Sequence, residues 1–269
     1  MAVARPRSTA PRAATARGAA WLGAGCGLLA GLVLFAPARW LAAAVEHGSG
    51  ARVLLREPRG SVWTGSAQLV LAGGAGSRDA VALPDRLHWR IRPAWQGLQV
   101  ALRAACCMDQ DWQLTARPSW TGGAVALADG RSHWPATVLA GLGTPWNTVQ
   151  PEGSLLLSTQ GLSLAWVAGR LRMDGRLQLD AADVSSRLST LRPMGSYRLT
   201  LAGGDDAGPR LQLETLAGAL QLSGSGQWTG SRLRFQGEAS AAPDRVDALS
   251  NFLNIIGRRN GLRSTIQVG

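Results

Sequence analysis

Apolar side chains recur here at every second residue, in short runs separated by glycine, and that period limits the possible folds more than any other feature. Leu69/Leu71, Leu98/Val100/Leu102, Trp112/Leu114, Val125/Leu127, Leu155/Leu157 and Leu171/Met173 alternate with small or polar residues. So do Leu177/Leu179, Tyr197/Leu199/Leu201, Leu211/Leu213, Leu220/Leu222 and Leu233/Phe235. Successive side chains of a strand point to opposite faces, so each run gives a sheet one apolar face and one wet face. Leu87-His88-Trp89-Arg90-Ile91 reads in-out-in-out-in, which puts His88 in solvent. Gly-rich breaks about every 8–12 residues suit antiparallel neighbours. The 34 Gly and 13 Pro punctuate the chain too densely for a long helical bundle. Most of the apolar residues are Leu, a modest strand former, so the period carries the assignment.

The first 45 residues break this pattern, with five Arg and no acid. Residues 1–17 are small, polar and Arg-bearing, with Pro6 and Pro11, and read as a disordered cytoplasmic tail. Residues 18–38 carry no charge, and a helix of that length spans roughly a bilayer's hydrocarbon core. Trp21 and Trp40 lie near its ends, at headgroup level. A basic flank stays inside, which exports the remainder. The rival reading is a cleaved signal peptide, since Ala36-Pro37-Ala38 has a small-x-small shape, but the apolar stretch is long for one. Along this helix Ala19, Gly23, Gly27 and Gly31 recur every four residues and form a ridge on which another helix can pack closely.

Two helices are expected within the sheet region. One covers His133–Leu142, started by Pro135 and stopped by Gly143. The other covers Asp244–Ile256, with Asp244 as cap, Gly257 as stop, and Leu249, Phe252, Leu253 and Ile256 on one stripe that lids a sheet. Trp-Thr-Gly occurs three times: Trp63-Thr64-Gly65, Trp120-Thr121-Gly122 and Trp228-Thr229-Gly230. Each precedes a short alternating run, which reads as a repeated hairpin with Trp packed across it and Gly at positive φ.

Catalytic material is sparse. All 28 basic residues are Arg, and the formal charge of +11 would raise nucleic acid as a partner. Much of that surplus is N-terminal, however, and the absence of Lys marks a compositional bias, so no nucleic acid is expected. His47, His88 and His133 are isolated and suggest no metal site. Neither nucleotide-binding nor serine-hydrolase glycine motifs appear outside the first helix. Cys106 and Cys107 are adjacent, and two independent thiols are expected in place of a vicinal disulfide. Asp109/Asp111 and Asp205-Asp206 read as turn acids.

An N-terminal anchor is followed by Gly60-Ser61-Val62-Trp63-Thr64-Gly65-Ser66-Ala67 and Leu87-His88-Trp89-Arg90-Ile91-Arg92-Pro93. Later come Pro193-Met194-Gly195-Ser196-Tyr197-Arg198-Leu199 and the stretch from Leu216-Ala217-Gly218 to Gly226-Gln227-Trp228. In order and spacing this succession resembles protein N of the type II secretion system, over residues 20–260. The resemblance implies a single-pass inner-membrane accessory subunit with a periplasmic β-rich domain, in a machine that exports folded proteins across the outer membrane. It supplies no catalytic residues.

The expected fold is mainly β: a single N-terminal transmembrane helix, then an antiparallel hairpin-repeat sheet with one or two short helices. The divisions are a tail at 1–17, an anchor at 18–40, a connector at 41–59, the sheet domain at 60–260 and a C-terminal tail at 261–269. Expected partners are other inner-membrane subunits of the apparatus and membrane lipid, with no cofactor and no small-molecule substrate. The competing class is a membrane-anchored β-groove that binds lipid or another hydrophobic ligand. An enzyme has the least in its favour.

Overall fold

The alternating runs become strands that pair in chain order. The computed structural model describes residues 13–95, 97–119, 122–167, 170–203, 208–229 and 232–268, which hold fifteen strands in one antiparallel sheet. β1 (Val53–Gly60), β2 (Thr64–Ala72), β3 (Ala80–Ala94), β4 (Gly97–Arg103), β5 (Trp112–Ser119) and β6 (Gly122–Leu127) form a meander. β7 (Gly130–Pro135) lies in line with β6, and both pair with the long β8 (Glu152–Val167). The meander resumes through β9 (Arg170–Ser185), β10 (Gly195–Ala202), β11 (Arg210–Gly218), β12 (Leu220–Thr229) and β13 (Arg232–Ala241). β15 (Arg263–Val268) pairs with β13, and the short β14 (Arg258–Asn260) forms the outer edge. Arg258 and Arg259 on that edge discourage a further strand from adding.

Register keeps the two faces distinct across the sheet. Leu157, Leu179, Leu199 and Leu213 stand opposite one another on β8 to β11. On the other face Gln212, Ser225, Gln236 and Gln267 do the same on β11, β12, β13 and β15.

The apolar face is covered in patches. The helices are α1 (Ala13–Leu34), α2 (Ala38–Gly48), the single turn α3 (Trp146–Val149) and α4 (Val246–Ile256). α4 lays Leu249, Phe252 and Leu253 onto Met194, Tyr197, Leu220 and Ala239. An eleven-residue helix does not persist alone in water, so this buried stripe holds it. Fully burying each such side chain contributes about 1.5–3 kcal/mol. α2 covers β1 to β3, where Ala38 meets Leu55, Ala67 and Trp89. A 3-10 helix at Ala136–Leu142 and the turn after β4 enclose Leu83, Ala104, Cys107, Met108 and Val138.

Several expectations change. The helix expected over 18–40 is two helices: α1 begins at Ala13, taking in Arg17, and ends at Leu34, and Pro37 separates it from α2. Residues 1–12 of the expected tail lie outside the described residues. Among the described residues no helix is long and apolar enough to cross a membrane. The stretch assigned as a connector at 41–59 carries most of α2 and nearly all of β1, and the stretch assigned as a C-terminal tail supplies β15. His133 and Trp134 are strand residues opposite Leu156 and Leu155, so only Ala136–Leu142 is helical there. Asp244 caps nothing: it lies in a 3-10 turn, paired with Arg245, and α4 starts two residues later. Gly257 does end α4, in extended backbone, and a side chain there is excluded because a Cβ would stand 2.5 Å from the Thr265 carbonyl oxygen.

Cys106 and Cys107 form a disulfide, where two independent thiols were expected. The turn after β4 holds both residues, with the Cys107 and Met108 amides donating to the Ala104 carbonyl. Cys107 is buried against Val138 and its neighbours, while Cys106 faces out.

Candidate functional site

Among the described residues, several hydrogen bonds meet at the junction between α1 and the sheet. Ala36 is buried, and its carbonyl accepts from the Val62 amide at 2.8 Å. Pro37 bridges Ser61 in antiparallel fashion. The Trp63 indole N–H donates to the Val33 carbonyl at the end of α1, 2.8 Å away. Below this loop Trp89 lies 3% exposed, its indole N–H shared between the Ser61 and Val62 carbonyls. The loop is thus gripped from both sides, by α1 above and by Trp89 beneath.

Gly65 makes that grip possible. A Cβ at Gly65 would stand 2.6 Å from Cζ2 of Trp89 and 2.5 Å from the Arg59 carbonyl oxygen. Glycine is needed there for close approach, not for the positive φ expected from the repeat; the left-handed glycine of this hairpin is Gly60. Trp63 and Trp228, expected from sequence to pack across their hairpins, are both half-buried. The large buried ring is Trp89, whose signal was its place inside the Leu87–Ile91 alternation.

The three Trp-Thr-Gly copies fall at three separate connections, β1–β2, β5–β6 and β12–β13, and are not brought together. Trp63 lies in its loop, whereas Trp228 is a strand residue opposite Leu233. Trp120, Thr121 and Gly230 lie outside the described residues, and Gly122 opens β6 opposite Ser119. On α1, a Cβ built at Gly23, Gly27 or Gly31 meets nothing within 4 Å. Ala19 lies on the same helix, and its side chain is outside the described residues.

The polar face carries its own constellation. Asp180 and Arg198, opposite one another on β9 and β10, form a two-pronged pair at 2.7 and 2.9 Å. The Arg198 hydrogen bonds hold the Asp180 carboxyl below its usual range, against the opposing effect of burial, with Gln178 adding a further donor. Beyond it a cleft of about 1010 Å³ opens over β11, β12, β13 and β15, floored by Gln212, Ser225, Gln236 and Gln267 and flanked by Arg210 and Arg234. Tyr197, on the apolar face, donates to the Leu220 carbonyl at 3.1 Å, and burial raises its phenol well above the ordinary value. His47, His88 and His133 are all exposed and far apart in the chain. Among the described residues no three His, Cys, Asp or Glu gather as a metal site would need.

A family model described as type II secretion system, protein N, matches residues 51–265, from just before β1 into β15. The chain belongs to the type II secretion system protein N family. No curated protein and no solved structure matches it. Membership in the protein N family makes the chain a component of a type II secretion system and implies contact with other subunits of that system. The matched region is the sheet with α4 and the 3-10 helix that cover parts of it, and α1 and the covering α2 precede it. The protein N resemblance seen in the sequence is therefore shown over the part of the chain that folds as sheet.

Proposed function

We propose that the chain is a non-enzymatic accessory subunit of the type II secretion apparatus, anchored in the inner membrane by α1 with its sheet in the periplasm, and that it acts through protein contacts. The observation that carries the contact reading is the polar cleft over β11 to β15. Its Gln, Ser, Arg and Glu side chains offer donors and acceptors of both charges to another protein's backbone and side chains. The anchor is supported by the uncharged run 18–38 and by the exposure of Leu28, Leu29, Leu32, Val33, Leu34 and Phe35. The basic flank at Arg5–Arg17 orients it with the N-terminus in the cytoplasm. The Ala19/Gly23/Gly27/Gly31 ridge is the face on which α1 meets another membrane helix, so Gly27→Ile weakens helix association where Leu28→Ile does not.

Ser225 is exposed in the middle of the cleft floor, so Ser225→Trp raises a bulky ring there without touching the core. The chain then keeps normal abundance, while exported enzyme activity and cross-linking to inner-membrane subunits both fall. Unchanged export with the floor obstructed refutes the contact reading. A second reading, a groove for lipid or another hydrophobic ligand, is favoured by one observation. Leu177, Leu179, Leu199, Leu201 and Leu211 are half-buried and belong to none of the lidded clusters. Stoichiometric lipid retained by the purified chain in native mass spectrometry would favour that reading.

A further inference from the structure

Consecutive strands run antiparallel, so alternate connections lie at the same end of the sheet. The Ser61–Trp63 loop joined to α1 and the β3–β4 tip at Trp95 are therefore on one rim, two strands apart across the sheet, with Trp95 projecting four residues beyond Ile91, whose amide donates to the Trp63 carbonyl. The start of α2, with exposed Arg39 and Trp40, lies on that rim as well, through the Pro37–Ser61 bridge. Among the described residues α1 packs along no strand, so it projects off this rim instead of folding back over the sheet.

The β3–β4 tip carries an anomaly. Trp95 is 102% exposed, with its whole indole in solvent. Arg90 and Arg92, on the last turns of the pleat before it, are exposed and make no ion pair among the described residues. An indole with nothing to cover it, at the end of a strand that carries two exposed guanidinium groups three and five residues before it, has the chemistry of a membrane interface. The ring is stabilised at headgroup depth, and the cations are drawn to anionic lipid. The covering surface is already present on this rim if α1 enters a bilayer, which is the reading on which this step rests.

We propose that the β3–β4 tip, through Trp95, Arg90 and Arg92, rests in the anionic headgroup layer of the membrane that α1 enters. The sheet then touches the bilayer at two points, the α1 junction and this tip, and its tilt is fixed. One contact would leave it free to swing about Pro37.

The test uses the full chain carrying Cys26→Ala, reconstituted in vesicles of phosphatidylethanolamine and phosphatidylglycerol. A polarity-sensitive nitrobenzoxadiazole label is attached at Trp95→Cys or, as a control on the opposite rim, at Thr190→Cys, which is exposed in the β9–β10 connection. The label at 95 shows blue-shifted, brightened emission, and the label at 190 does not. Adding Arg90→Glu and Arg92→Glu, or replacing the vesicles with phosphatidylcholine, reduces the shift at 95. Neither arginine is buried, so these variants fold. If the chain floats with the vesicles but the two labels give the same aqueous emission, the anchor stands and the proposal is overturned. An equal shift in phosphatidylcholine overturns the role of anionic lipid. If the chain does not float with the vesicles at all, the anchor reading fails and takes the proposal with it.

Discussion

Gly65→Ala is the sharpest test of how α1 is fixed to the sheet. The backbone at Gly65 is outside the left-handed region, so alanine adopts it without conformational strain and any penalty is steric. The new methyl is caught between two groups that cannot easily retreat. One is the Arg59 carbonyl, a ladder acceptor at 2.5 Å; the other is the Trp89 ring at 2.6 Å, buried and hydrogen-bonded to the Ser61 and Val62 carbonyls. Overpacking of this kind costs about 1–3 kcal/mol. A ring pushed aside also gives up one hydrogen bond, about 1 kcal/mol more. The expected loss is thus about 2–4 kcal/mol, a large part of the ~5–15 kcal/mol that holds a typical domain together. Urea unfolding of the detergent-solubilised chain, followed by circular dichroism, measures it. Trp89→Leu removes the opposing ring, so the double variant falls short of the summed single losses by about 1–2 kcal/mol. A Gly65→Ala protein within about 0.5 kcal/mol of wild type, or strict additivity in the cycle, refutes the argument.

Three further outcomes follow from the same structure. Leu253→Ala, at a fully buried position on α4, lowers stability by about 2–5 kcal/mol and accelerates hydrogen exchange over 246–256. Tyr197→Phe keeps the ring but leaves the Leu220 carbonyl without its donor, for a loss of about 1–2 kcal/mol in the same urea assay. Asp180→Asn lowers the thermal midpoint at pH 7. Because the folded-state carboxyl titrates below the ordinary 3.8, the wild-type advantage is complete above that value and is lost as pH falls through the folded pKa, so the two melting curves converge in acid.

The alternation made most of the sheet legible because its signal is local: one face apolar, one wet, broken by glycine. It failed where the chain departs from that pattern. In β1, Leu54 and Leu55 are adjacent and face opposite sides, and a bulge between Arg56 and Arg59, with Glu57 at a φ of 46°, shifts the register. β15 buries Ser264, whose hydroxyl donates to the Leu253 carbonyl, so its inward face does not read as apolar. α2 was split between the anchor and the connector because the anchor was carried past Pro37 to Trp40. The junction was legible only in part: the Trp-Thr-Gly repeat pointed to Trp63 and Gly65, but their partners Val33 and Trp89 lie thirty and twenty-four residues away from them. The Asp180–Arg198 pair needs a known register, and no local pattern announces it.

The order of strands in the sheet has a consequence for how the chain reaches its native state. From β1 to β13 nearly every strand pairs with the one made just before it, so each pairing closes only a short loop and the entropy lost per step stays small. All-β domains that must bring distant segments together first are slow for the opposite reason. A chain emerging N-terminus first can therefore add strands one at a time, each new strand converting an exposed edge into a paired one. The last step differs. β15 must pair with β13 while α4 and β14 are already present, and its Ser264 then closes the bond to Leu253 that fastens the lid. Until β15 arrives, the outer side of β13 is an unguarded edge, so β15 and the Arg-bearing β14 beyond it decide when that edge stops being able to recruit another strand.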